Sequence, residues 1–104
     1  MIKVFIKKNN NIIDTIKCQG HAGYDDYGKD IVCASFSTMI ITTINAILKI
    51  DKEAISYTDN NDLTIVNIKK DNITNKLLEN LINMIKELKD KYNKNIVIKE
   101  EDHD

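Results

Sequence analysis

A chain of 104 residues with 15 basic and 16 acidic side chains, a net charge of −1, makes one domain with a real core and gains from pairing with a second copy. That balance argues against a general nucleic-acid binder, which gathers Lys and Arg on one face, so no direct nucleic-acid contact is expected. No apolar run reaches the roughly 18 residues free of strongly polar side chains that a membrane span needs. No signal peptide is evident, and the expected compartment is a reducing cytoplasm without membrane attachment.

From the start, Ile2, Val4 and Ile6 alternate with Lys3, Phe5 and Lys7 in a strand pattern, and Asn9-Asn10-Asn11 marks a turn. A second strand from about Ile12 to Cys18 completes a β-hairpin. The stretch Gly20 to Ser37 follows, holding all three glycines, two of the four tyrosines, one of the two histidines and one of the two cysteines. It leads into a helix from Ile31 to about Leu48. Phe36, Ile40, Ile44 and Ile47 mark the face of that helix that needs burial, opposite a polar stripe at Ser35, Thr38, Thr42, Asn45 and Lys49. Its Ile and Thr content lowers intrinsic propensity, so packing must hold it.

Ala54–Thr58 and Leu63–Ile68 read as a second hairpin around Asp59-Asn60-Asn61-Asp62. A second helix runs from about Ile73 to Lys91, with Asp71 or Asn72 near its cap and Leu77, Leu78, Leu81, Ile85 and Leu88 as its buried stripe. A short strand, Asn95 to Lys99, precedes an acidic tail in which His103 is a solvent-exposed residue. The order β-β-α-β-β-α-β implies an α+β fold, a small mostly antiparallel sheet with two packed helices. Nothing divides the chain, so residues 1–104 are expected to form a single domain.

The chemistry is concentrated between Gly20 and Ser37. Asp30 is placed to cap the helix by accepting from the N–H groups of Val32 or Cys33. Cys33 then lies in the first turn, where unpaired N–H groups and the helix dipole favour a thiolate, the form a nucleophile needs. His21, beside Gly20 and Gly23, can fold back toward Cys33 as general base and acid. Two jobs stay open for Asp30: capping the helix or orienting His21. Ser37, one turn beyond Cys33, can donate to it, to a substrate, or to its own helix backbone. Gly23, Tyr24, Tyr27 and Gly28 suggest a flap closing over an extended apolar peptide, with Tyr24 and Tyr27 lining its pocket.

Competing readings of the same residues exist. Cys33 can be a small core hydrophobe, and His21 a loop histidine bonded to a carbonyl. Cys18, His21 and Cys33 supply three potential metal ligands, but a fourth is not evident and no second Cys pair completes a zinc motif, so no metal or other cofactor is expected. Cys18 is expected to pack at its strand end. A Cys18–Cys33 disulfide would be reduced in the cytosol, and no C-x-x-C pair supports thiol redox chemistry.

Gly20-His21-Ala22, Gly28, Asp30, Val32-Cys33-Ala34 and Ser37 together resemble the signature of the bacterial ribosomal-processing cysteine protease family, Prp. The resemblance spans essentially the whole chain. It implies that His21 and Cys33 are a catalytic pair, that the enzyme is a homodimer, and that its substrate is the N-terminal extension of large-subunit ribosomal protein twenty-seven. Peptide hydrolysis would pass through a thioester on Cys33, with backbone N–H groups at the helix start, including that of Cys33, stabilising the oxyanion. Ser35 and Phe36 depart from the smaller apolar residues of many members, a difference that touches packing beside the site. The alternative from a different class is a ribosome-associated binding or assembly module in which the cysteine does no chemistry.

Overall fold

Strand alternation decides which side of each strand faces inward, and in the computed structural model, which describes residues 1–26 and 28–103, the fully buried apolar positions of β1, β2, β4 and β5 fall on one side of a single sheet. Strands β1 (Ile2–Asn9) and β2 (Ile12–Gln19) form the first hairpin. Asn10 and Asn11, at φ 52° and 64°, close it in the left-handed region that Asn tolerates and that matches the strand twist. The register slips between Lys7 and Lys8, which leaves Asp14 as an extra residue free to pair with Lys70 at 3.0 Å.

Helix α1 (Ile31–Ile50) comes next, then the hairpin β3 (Ile55–Asp59) and β4 (Leu63–Asn67), helix α2 (Asn72–Lys91) and strand β5 (Ile96–His103). The sheet order is β3-β4-β2-β1-β5, with β1 and β5 parallel and every other pair antiparallel. The α+β class and the element order follow the sequence reading. Both helices pack over the face that carries Ile2, Val4, Ile6, Ile13, Ile16, Ile65 and Ile96, and all four expected α1 positions, Phe36, Ile40, Ile44 and Ile47, are buried. Each such side chain contributes about 1.5–3 kcal/mol on burial, which offsets the low helix propensity of α1. Asp71 caps α2 by accepting from the N–H of Thr74 at 2.8 Å. The buried Asn67 amide donates to the Ile13 carbonyl at 2.9 Å and accepts from the Lys70 N–H at 2.9 Å, so this polar group inside the core is satisfied.

Two expectations change. The acidic tail after Lys99 is strand: β5 continues through Glu100, Glu101 and Asp102 to His103, in parallel register with Ile6, Lys7, Lys8 and Asn9. Glu100 lies 3.7 Å from Lys8 and 3.2 Å from Lys86, so lysines on neighbouring elements neutralise what looks like a repelling charge run. His103 is exposed, as expected. The second change concerns α1, which does reach the length and apolar composition of a membrane-spanning helix. Its polar residues weigh less than their number suggests, because Thr43 spends its hydroxyl on the Met39 carbonyl at 2.8 Å.

Candidate active site

The start of α1 is fixed by one carboxylate. Asp30 Oδ1 accepts from the N–H groups of Val32 at 3.0 Å and Cys33 at 2.9 Å, while Oδ2 accepts from Tyr24 at 3.0 Å and Asp25 at 3.4 Å. One residue thus caps the helix and ties the preceding loop to it. The Cys33 N–H bond, aided by those from Tyr24, Asp25 and Val32, holds the Asp30 carboxyl below its ordinary value of 3.8. Of the two jobs open to Asp30, the structure shows the capping one, with both oxygens occupied by backbone donors.

This arrangement leaves fewer helix-start donors free for an oxyanion. The N–H groups of Val32 and Cys33 are spent on Asp30 Oδ1, and that of Ala34 on the Asp30 carbonyl at 3.0 Å. The backbone donor that reaches the Cys33 sulfur comes from the loop instead: the Ala22 N–H points at Sγ over 3.2 Å. An N–H aimed at sulfur, beside the positive end of a helix, stabilises negative charge there. Ala22 is itself buried, and its carbonyl accepts from the Asn95 side chain at 2.9 Å, so the loop expected to be a free flap is pinned at this point. His21 is exposed and sits between Gly20, at φ +81°, and the pinned Ala22.

His21 and Cys33 line the same cavity, about 360 Å³ in volume, bounded by α1 from Cys33 to Asn45, the end of β2 and the β3–β4 hairpin. Gly20 and Ser37 also line it, with Ser37 exposed on α1 one turn past Cys33. Phe36, Ile40, Ile44 and Leu63 form an apolar floor, and Gln19, Asp59 and Asn61 a polar rim. Gln19 Nε2 donates to Asp62 at 2.9 Å, which braces the hairpin turn against β2. Tyr24 is not part of this wall: its ring meets Tyr92 edge-on, with centroids 5.3 Å apart. Tyr57 contributes an aromatic surface instead. Tyr27 lies outside the described residues, and Gly28, at φ +86° with open space around it, serves the turn that precedes Asp30. Tyr57, Asp59 and Asn61 were missed because a hairpin more than twenty residues beyond Cys33 carries no local mark of where the sheet will place it.

The two cysteines have separate environments. Cys18 is buried on β2 opposite Val4 and Leu63, and desolvation pushes its thiol up to about 12. Cys33 is half-buried at the cavity, and neither is in a disulfide. Among the described residues no group of three His, Cys, Asp or Glu side chains is arranged to hold a metal ion. Native protein treated with iodoacetamide is therefore expected to take up label at Cys33 and not at Cys18, with a second adduct appearing only in denaturant. Peptide mass mapping checks this, and fast native labelling of Cys18 would contradict its burial.

A capped helix start bearing a half-buried thiol, with an imidazole on the same cavity wall, is the layout of a cysteine protease. The comparisons narrow the class: residues 1–97 match the family model for the cysteine protease Prp, and the chain belongs to that family. It is 29% identical over 99 residues, 91% of its length, to the ribosomal processing cysteine protease Prp of Staphylococcus aureus, of which it covers 92%. A crystal structure of an essential ribosomal processing protease Prp from S. aureus with a covalently linked product peptide superposes with a TM-score of 0.92 at 25% identity, covering 97% of this chain and 100% of that one. A Streptococcus mutans structure shares the fold, with a TM-score of 0.84 at 23% identity over 99% of this chain and 96% of that one.

Because Asp30 serves both helix and loop, Asp30→Ala is expected to slow peptide cleavage about a hundredfold by displacing Cys33 relative to the loop. Its folded carboxyl titrates below the unfolded one, so its contribution to stability is complete above the ordinary value of 3.8 and is lost as pH falls below it. Removing Asp30 should flatten part of the acid limb of a Tm-against-pH curve. Full activity in the alanine variant would show that the cap does not position the site.

Proposed function

We propose that the whole chain acts as one catalytic domain that removes the N-terminal extension of large-subunit ribosomal protein twenty-seven, with Cys33 as nucleophile and His21 as general base and acid. The observation that carries this reading is the Cys33 thiol on the cavity wall, facing the Ala22 N–H and lining the same cavity as His21. An extended peptide crosses from the loop toward the β3–β4 hairpin, with an apolar side chain over Phe36, Ile40 and Leu63.

His21 takes the Sγ proton and the thiolate attacks the scissile carbonyl, forming the S–C bond as the carbonyl electrons move onto oxygen. The Ala22 N–H, which faces the sulfur in the free protein, turns to that oxyanion. Collapse expels the amine with the proton from His21 and leaves a thioester. Water, deprotonated by His21, then releases the extension as a carboxylic acid and restores the thiol. Gly20, Ser37 and Tyr57 shape the groove, and Asp30 fixes the start of α1.

The S. aureus relative is named for ribosomal processing, which supports a ribosome-linked, cytoplasmic role for this chain. A homodimer suits Ile41, which α1 leaves 58% accessible. Sedimentation of the purified protein tests that assembly. The function itself is tested by incubating the protein with the full-length ribosomal precursor in reducing buffer containing a chelator and locating the new N-terminus by intact mass. Tight binding of the extension without cutting would favour the binding module. Activity lost to chelator and restored by zinc would point to a metal site at Cys18.

A further inference from the structure

The even charge count of the chain conceals a one-sided distribution. On the face of the sheet opposite both helices, Phe5 stands at the centre of a cross of lysines. Lys3 and Lys7 lie two residues to either side of it on β1, and Lys17 on β2 and Lys99 on β5 are its register partners across the sheet. All four lysines are exposed, and Phe5 is half-exposed, outside the hydrophobic core cluster. Val97 on β5, and Thr64 and Val66 on β4, extend a partly open floor around them. Acidic groups on this side are few: Asp62 lies 3.9 Å from Lys17, and Glu101, in register with Lys7, contacts His103 at 3.3 Å. Among the described residues, Lys3, Lys7 and Lys99 are in no ion pair.

We infer that this open sheet face binds single-stranded RNA, with a base stacked on Phe5 and the flanking phosphates held by Lys3, Lys7 and Lys99. Residues two apart on a strand are about 6.7 Å apart, so cations bracket the ring at a spacing that reaches phosphates on either side of one nucleotide. A sheet that presents an aromatic ring between cations offers a stacking surface and charge neutralisation together, the combination single strands require. An acidic peptide would satisfy the lysines but has no flat group for the ring. A duplex keeps its bases stacked inside and gains only the phosphate contacts. The cavity with Cys33 lies on the helix side of the sheet, so RNA and peptide occupy opposite faces. The tethered protease would then meet its substrate where RNA is abundant.

The test is fluorescence anisotropy with a labelled oligouridylate of about 12 nucleotides, titrated with protein over a range of KCl concentrations. Binding should weaken with salt, and the triple variant Lys3→Gln/Lys7→Gln/Lys99→Gln should lower the magnitude of the log–log salt slope by about 2. Phe5→Leu, which keeps apolar cover but cannot stack, should weaken binding about tenfold without changing the slope. Cleavage of a short peptide by both variants should equal that of the parent, which also verifies their folding. Absence of binding at low salt, or unchanged affinity in either variant, would overturn the inference. Tighter binding of polyglutamate than of the oligonucleotide would overturn it in favour of an acidic protein partner.

Discussion

Replacing Cys33 by Ala or Ser, or His21 by Ala, is expected to reduce cleavage of the ribosomal precursor by at least about a thousandfold while leaving the fold and peptide binding intact. Both side chains lie at the cavity surface, Cys33 half-buried and His21 exposed, so neither substitution opens a hole in the core. The serine variant is the sharper probe. It keeps a nucleophilic atom under the Ala22 N–H but replaces sulfur with oxygen, so residual turnover near the native rate would mean that attack by sulfur is not the chemistry. Because the two residues act as a unit, the double variant should be no slower than either single one. Additive losses would mean that His21 works independently of Cys33. Intact mass reads cleavage, and anisotropy of a labelled extension peptide reads binding.

Gly20→Ala should be the most damaging of the glycine substitutions, costing upwards of about 2 kcal/mol and most of the activity. A Cβ at this position would stand 2.4 Å from the Met1 carbonyl oxygen, a backbone atom that cannot swing away, and φ is +81°. Relief requires β1 to shift away from the end of β2 or the loop to rotate, and either movement carries His21 with it. Gly28→Ala provides the control. Its φ of +86° imposes similar left-handed strain, but nothing lies within 4 Å of the added methyl, so about 1 kcal/mol is expected. Urea unfolding of both variants separates strain from collision. Equal losses would mean that the Met1 contact relaxes at no cost.

Where the fold was legible, a local physical rule decided it. Asp30 announced the start of α1 because a carboxylate before a run of apolar residues has little else to do than cap it. Asn10-Asn11 and Asp59-Asn60-Asn61-Asp62 announced their turns, and the alternation Ile2, Val4, Ile6 announced the inward side of β1. The failures are all long-range. Glu100 to His103 read as a tail because their partners, Lys8 on β1 and Lys86 on α2, lie elsewhere in the chain. Tyr24 read as a pocket residue because Tyr92, which engages it, follows 68 residues later. At the site, the sequence reading placed His21 and Cys33 near one another, but the use of the helix-start N–H groups by Asp30, and the approach of Ala22 to the sulfur, depend on loop geometry that no spacing reveals.

The position of β1 between β2 and β5 also bears on when the molecule becomes active during its own synthesis. The ribosome delivers β1 first and β5 last, yet the two are neighbours, with Ile2 aligned to Ile96. Asn95 accepts from the Ile2 N–H at 2.8 Å and donates from its side chain to the Ala22 carbonyl at 2.9 Å, fastening the segment that carries His21. Joining positions so distant along the chain is slow and cannot begin until the last strand has left the exit tunnel. A nascent chain therefore carries its thiol without the clamp on its partner loop, and stays unarmed until β5 has joined β1.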